Sequence, residues 1–133
     1  MLFKKRKRKV TTGFSPGDKF VAQLDRSVKV DTKQIADMMV TSSTVSKGDM
    51  LNVIDSLLTQ MLYLLQLGHT IKLTGFGTFY VRTNVKAVDT LEEVTADTVE
   101  KIGIGFLPET DVRERMNKVP INIVPTEEEP PVP

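Results

Sequence analysis

Hydrophobic positions change their spacing along the chain, and each change marks an element boundary. Near the N-terminus Phe20, Ala22 and Leu24 alternate with polar residues, which is the period of a half-buried strand. The pattern predicts strands over about 10–14 and 19–24. Between them, Ser15-Pro16-Gly17-Asp18 places Pro and then Gly at the centre of a type II turn, so the two strands form a small hairpin. From Asp31 the period becomes helical. Asp31 is an N-cap, Gln34 closes a capping box, and Val30 with Ile35 supplies the hydrophobic staple. Ile35, Ala36, Met39 and Val40 form the stripe of a short helix ending near Ser42. The same grammar returns at Ser46, with Asp49 in the capping-box position and Val45/Met50 as staple. It opens a long helix that runs to Leu67 and is stopped by Gly68.

The long helix is unusually apolar. Asn52, Asp55, Ser56, Thr59, Gln60, Tyr63 and Gln66 make one polar stripe, and eleven large apolar residues between Met50 and Leu67 occupy the rest. Each could contribute roughly 1.5–3 kcal/mol if fully buried. One short helix and a few strands cannot cover them all. The helix is therefore expected to be shared with a second subunit in an intertwined dimer. Leu51, Ile54, Leu58, Met61 and Leu65 are the expected interface residues on it, with Phe76 and Phe79 beyond it. A larger core within one chain, lidded by the N-terminal hairpin, is the competing explanation.

After Gly68 the period shortens to two. His69–Leu73 reads as a strand, Thr74-Gly75-Phe76-Gly77 as a turn, and 78–82 as the return strand. A looser stretch spans 83–100. Lys101–Phe106 follows as a third strand with Ile102, Ile104 and Phe106 on one face, ended by Pro108. Val112, Met116 and Val119 mark a short closing helix, and 121–124 an edge strand. The fold class is α+β.

Charge adds an asymmetry that the totals hide. The chain of 133 residues carries 18 basic and 17 acidic residues, a net of +1. Lys4, Lys5, Arg6, Lys7, Arg8 and Lys9 supply six of the cations; residues 10–133 hold 12 against 17, a net of −5. Glu127–Glu129 sit in a tail that ends Pro130-Pro131-Val132-Pro133. The division expected from these shifts is a basic arm over 1–9, a hairpin extension over 10–30, the main domain over 31–124 and the tail over 125–133. The basic arm has three readings: phosphate binding, docking on an acidic partner, or a solvated tail.

Composition narrows the chemistry. Cysteine is absent, which excludes a disulfide scaffold and thiolate zinc sites. A single histidine, His69, leaves too few nitrogen ligands for the usual zinc or copper sites. It has no nucleophile pattern around it, and its place beside a helix stop suits capping of the last carbonyls. Gly75 and Gly77 lead from strand to strand, whereas a nucleotide-binding glycine loop leads into a helix. No apolar run reaches the length of a membrane span, and the cationic start lacks the apolar stretch of a secretory signal. No enzyme, cofactor, metal or membrane partner is expected.

The long helix, its glycine stop and the run Ile71-Lys72-Leu73-Thr74-Gly75-Phe76-Gly77-Thr78-Phe79 together resemble the HU/IHF family of DNA-bending proteins. The likeness covers about residues 31–120, and the N-terminal hairpin is similar to HU-related variants that carry an extension. The resemblance implies a helix-turn-helix base, a three-stranded antiparallel sheet and a C-terminal helix, assembled as an interlocked dimer with itself or an HU-like paralogue. It also implies duplex DNA bent by two basic β-arms whose Arg-Asn-Pro tips wedge between base steps. Here the arm falls between Arg82 and Lys101, where no proline occurs and three cations (Arg82, Lys86, Lys101) meet five acids.

Two functions follow. The favoured one is a structural, self-associating subunit, with bending lost or weakened and both termini clasping neighbouring subunits, as in a ring of a phage neck or tail. The alternative is a nucleoid protein that binds double-stranded DNA without sequence preference. In either case the residues expected to meet nucleic acid or a partner are the six cations Lys4–Lys9 together with Lys72, Arg82, Lys86, Lys101, Arg113 and Arg115. The setting is cytoplasm (nucleoid) or virion.

Overall fold

The computed structural model describes residues 1–13, 17–26 and 28–124. In chain order it contains β1 (Leu2–Val10), β2 (Gly17–Leu24), α1 (Thr32–Val40), α2 (Lys47–Gln66), β3 (Ile71–Leu73), β4 (Gly77–Val85), β5 (Val99–Pro108), α3 (Thr110–Asn117) and β6 (Asn122–Val124). Short 3-10 turns at Leu91–Glu93 and Ala96–Thr98 interrupt the link from β4 to β5. The chain divides into two compact units: Met1–Lys29 with the chain from Lys118 on, and Val30–Asn117.

In the Val30–Asn117 unit the helix ends follow their local sequence. Asp31 Oδ1 accepts from the Gln34 backbone N–H at 2.9 Å, and the Gln34 side chain accepts from the Asp31 N–H at 2.9 Å. That reciprocal pair satisfies two of the donors a helix start leaves open. At the second start Ser46 Oγ accepts from the Asp49 N–H at 3.2 Å. The Asp49 carboxylate, however, takes the Ser46 hydroxyl at 2.6 Å rather than its backbone N–H, because the shorter acid does not reach back as Gln34 does. At the far end of α2, Gly68 adopts φ +83°. Its N–H donates to the Leu65 carbonyl at 2.9 Å, and that of His69 to the Leu64 carbonyl at 3.1 Å, a Schellman stop. His69 thus caps through its backbone. The two helices contact each other, with Lys47 and Asp37 paired at 2.7 Å.

Strands β3, β4 and β5 form an antiparallel sheet in that order. Gly75, at φ +88°, lets the chain reverse between β3 and β4. Phe106 stacks on Phe76 at 5.1 Å and lies against Phe79 at 4.8 Å. Gly77 is buried beside this cluster, and a Cβ there would meet Phe106 Cε2 at 2.5 Å and the Leu107 carbonyl oxygen at 2.6 Å.

The N-terminal unit differs from the expected arm and hairpin. β1 begins at Leu2, so the six cations lie inside a strand paired residue for residue with β2, from Phe3↔Leu24 to Val10↔Gly17. A strand is held by its backbone ladder and sends successive side chains to opposite faces. Six solvated cations therefore suit one whose two faces are both wet. Ser15 and Pro16 of the expected turn, and the tail 125–133, lie outside the described residues. The expected edge strand at 121–124 is present as β6, but it joins this unit: it runs parallel to β1, with Leu2↔Asn122 and Lys4↔Val124. The N-terminal ammonium donates to the Pro120 carbonyl at 2.8 Å, and the Asn122 N–H to that of Met1 at 2.9 Å.

Burial is sparse. Among the described residues the only large or small hydrophobics counted as buried are Ala36 and Leu65, and in the N-terminal unit none is. On α2 the apolar face is only partly turned from water: Met50, Leu51, Ile54 and Met61 are half-buried and Leu65 is buried. The flanks remain open, at Val53, Leu57 and Leu64 on one side and Leu58 and Leu62 on the other. A surface substitution in a monomer usually changes stability by less than about 0.5 kcal/mol. Leu62, 53% exposed in the single chain, is expected to behave otherwise: light scattering should read two chains for the unaltered protein and one for Leu62→Glu, with a weaker helical circular-dichroism signal. A fully folded Leu62→Glu dimer would mean that this flank faces solvent. Gly77→Ala should cost about 1–3 kcal/mol by overpacking, read as a lower denaturation midpoint at fixed protein concentration.

Candidate nucleic-acid interface

The register of the β3–β4–β5 sheet sorts its side chains by chemistry, because residues opposite one another share a face and neighbours along a strand do not. One face carries Ile71, Leu73, Phe79, Val81, Ile102, Ile104 and Phe106, and it is the face of the phenylalanine cluster. The other carries Lys72, Thr78, Tyr80, Arg82 and Asn84, opposite Leu107, Gly105, Gly103 and Lys101. Three of the predicted cations, Lys72, Arg82 and Lys101, therefore share one face, with Arg82 and Lys101 near each other and Lys72 farther along the sheet.

Glycines shape this face. The Tyr80 ring lies directly over Gly105, where a Cβ would collide with it. Gly103 has nothing within 4 Å of where its Cβ would be, so the surface between Arg82, Asn84 and Lys101 is open to close approach of a ligand. Arg82, Thr83, Asn84, Lys101 and Gly103 line a recess there of about 310 Å³. Lys72 is held near Glu109 at 3.8 Å. Tyr80, Asn84 and the two glycines were not among the residues expected from sequence; their alternation with Phe79, Val81 and Thr83 was the available signal.

Farther out the sheet loses its regularity. A bulge interrupts the ladder between Asn84 and Val85, where Val85 pairs with Val99, and the Lys86 N–H donates to the Thr98 carbonyl at 2.8 Å. Lys86 is thus set apart from the Lys72–Arg82–Lys101 face. The two 3-10 turns beyond it carry Glu92, Glu93 and Asp97. Arg113 and Arg115 lie on α3, where Arg113 Nη2 donates to the Pro108 carbonyl at 3.4 Å and Arg115 meets Asp111 at 4.0 Å. Both α3 arginines thus have contacts of their own within the α3 region.

In the N-terminal unit the strand separates the predicted cations into two rows. Lys4, Arg6 and Arg8 share one face with Lys19, Val21 and Gln23, while Lys5, Lys7 and Lys9 share the other with Asp18, Phe20 and Ala22. Lys4 pairs with Asp25 at 3.2 Å and Lys7 with Asp18 at 2.8 Å. Of the expected dimer residues, Leu51, Ile54, Met61, Leu65 and Phe79 are at least half-covered by their own chain, whereas Leu58 and Phe76 are more than half exposed. Val53, Leu57 and Leu62, also exposed on α2, were not among the residues expected there. Helical periodicity identifies an apolar arc, not which part of it the chain itself covers.

No helix among the described residues is long and apolar enough to cross a membrane. A family model, HU-HIG, described as an HU domain fused to wHTH, Ig, or glycine-rich motif, matches residues 2–122. Comparison with curated proteins gave no match. Among solved structures the chain is similar to a candidate bacterial DNA-binding protein from Bacteroides vulgatus, with 19% identity, a TM-score of 0.59 and 92% of this chain covered. The chain spans 48% of the length of that protein. It is also similar to Anabaena HU crystallised with DNA, with 16% identity and a TM-score of 0.53, over 68% of this chain and 100% of the HU chain. At such identities the likeness is one of fold, and the fold is HU-like.

Proposed function

The chain belongs to the HU-HIG family, and from that premise we propose that it is a nucleoid protein that binds duplex DNA as a dimer, without strong sequence preference and with little bending. The observation that carries this reading is the face bearing Lys72, Arg82 and Lys101, opened by Gly103 and backed by an apolar face. Cations at that spacing can neutralise backbone phosphates, which position a protein on DNA but carry no sequence information. The HU fold shared with a DNA-bound relative supports the same reading.

Strong bending needs a side chain that unstacks a base step and basic arms that follow the bent duplex. Between Arg82 and Lys101 the chain has no proline and five acids, so an arm built from it would repel phosphates rather than wrap them. A ring-forming virion subunit has less behind it. Its acidic clasp, Glu127–Glu129, lies outside the described residues, its basic clasp is a paired strand, and neither the family description nor either solved relative speaks of a virion.

Titration of a duplex at several salt concentrations tests the proposal. Binding should weaken steeply with salt and differ little between unrelated sequences. Changing Arg82→Ala and Lys101→Ala together removes four cations per dimer and should make the slope of log affinity against log salt shallower by roughly 3 to 4. Unchanged affinity in that variant would refute the proposed face. End-to-end fluorescence transfer on a doubly labelled duplex should stay near its unbound value.

A further inference from the structure

The N-terminal sheet presents a second ordered array of positive charge that the face described above does not use. Along β1 the residues Lys4, Arg6 and Arg8 point to one side, about 6.7 Å apart from one to the next. That repeat is of the order of the separation between successive phosphates on one strand of a nucleic acid. Among the described residues of the two strands and their ends one acid lies on this face, Asp25, and it is engaged by Lys4 at 3.2 Å. Arg6 Nη1 donates to the Gln23 side-chain oxygen at 3.0 Å. A neutral acceptor orients the guanidinium without cancelling its charge, and leaves its other donors available. Arg8 lies directly opposite Lys19, so the row of cations continues onto the neighbouring strand.

The opposite face is more apolar and has no arginine among the described residues of its strands. There Lys7 is tied to Asp18 at 2.8 Å, and Phe3, Phe20, Ala22, Leu24 and Ile123 lie among the lysines, whereas Leu2, Val10, Val21 and Val124 are the smaller apolar residues on the Lys4–Arg6–Arg8 face. That face is suited to apolar cover rather than to a continuous polyanion.

We propose that the Lys4–Arg6–Arg8 face of the N-terminal sheet is a second phosphate-binding surface, which takes duplex DNA independently of Lys72, Arg82 and Lys101. Arginine favours this ligand, since its planar fork matches two phosphate oxygens at once. The acids of a second copy are a poorer match. Those of the β4–β5 link are divided between two separate turns, Leu91–Glu93 and Ala96–Thr98, whereas the cations form one straight row.

The test uses the full chain with Arg82→Ala and Lys101→Ala as background, so that failure of the first site and of the second are read separately. Residual duplex binding should persist in that background. Adding Arg6→Gln and Arg8→Gln should abolish it, and in the otherwise unaltered protein the same pair should make the salt slope shallower by roughly 2 to 4. A matched control, Lys5→Gln with Lys9→Gln, removes the same charge from the other face and should change neither result. Circular dichroism and light scattering confirm that each variant keeps its helices and its dimer. Equal losses from both pairs would reduce the strand to a diffuse positive tail and overturn the proposal, as would no loss from either. A change confined to oligomer size in the Arg6/Arg8 variant would also overturn it and make a second copy the occupant.

Discussion

The apolar girth of α2 is the constraint from which the rest of the structure follows. Its apolar residues cover about half of the helix circumference, from Val53 round to Leu62. Its own chain shields only part of that arc, at Met50, Leu51, Ile54, Met61 and Leu65. A helix placed this way is the centre of a core, not its edge. The caps at Ser46 and Gly68 hold it to length, so that the apolar surface is presented as one rigid strip. The flanks at Leu57, Leu58 and Leu62 stay exposed in the single chain, and that uncovered surface is what the proposed dimer would bury.

Once one face of the β3–β4–β5 sheet is committed to Phe79, Ile104 and Phe106, strand alternation hands the other to Lys72, Arg82 and Lys101. The apolar and the cationic face are therefore the two sides of one pattern, and neither can be shifted in register without the other. The same alternation acts on the N-terminal strand, where it splits a featureless run of six cations into two rows with different neighbours. Phosphate neutralisation and DNA bending make different physical demands. The first needs cations on a stable face, and the β3–β4–β5 sheet carries Lys72, Arg82 and Lys101 on one. Deformation needs basic arms and a wedge, and the corresponding segment has acids and no proline.

Helix starts and stops were legible in the sequence because they are decided within four or five residues. Asp31 with Gln34, and Gly68 after Leu67, needed no distant partner to be read correctly. The faces of β4 and β5 were legible for a similar reason, since a period of two survives any tertiary arrangement. β1 was not. Its side chains show no apolar alternation because neither face is buried, and its existence depends on ladders to β2 and to β6, the latter more than 110 residues away in the chain.

By itself, then, the sequence determined the helix pair, the three-stranded sheet, the excess of apolar surface and the acidic character of the β4–β5 link, all consequences of local spacing and composition. Only the tertiary structure decided that residues 2–10 are a strand, that 122–124 pair with it, and which cations share a face. It also decided which part of α2 its own chain covers, leaving Val53, Leu57 and Leu62 exposed. Those outcomes rest on backbone pairing and on contacts between segments far apart in the chain. Neither leaves a periodic trace in the residues that take part.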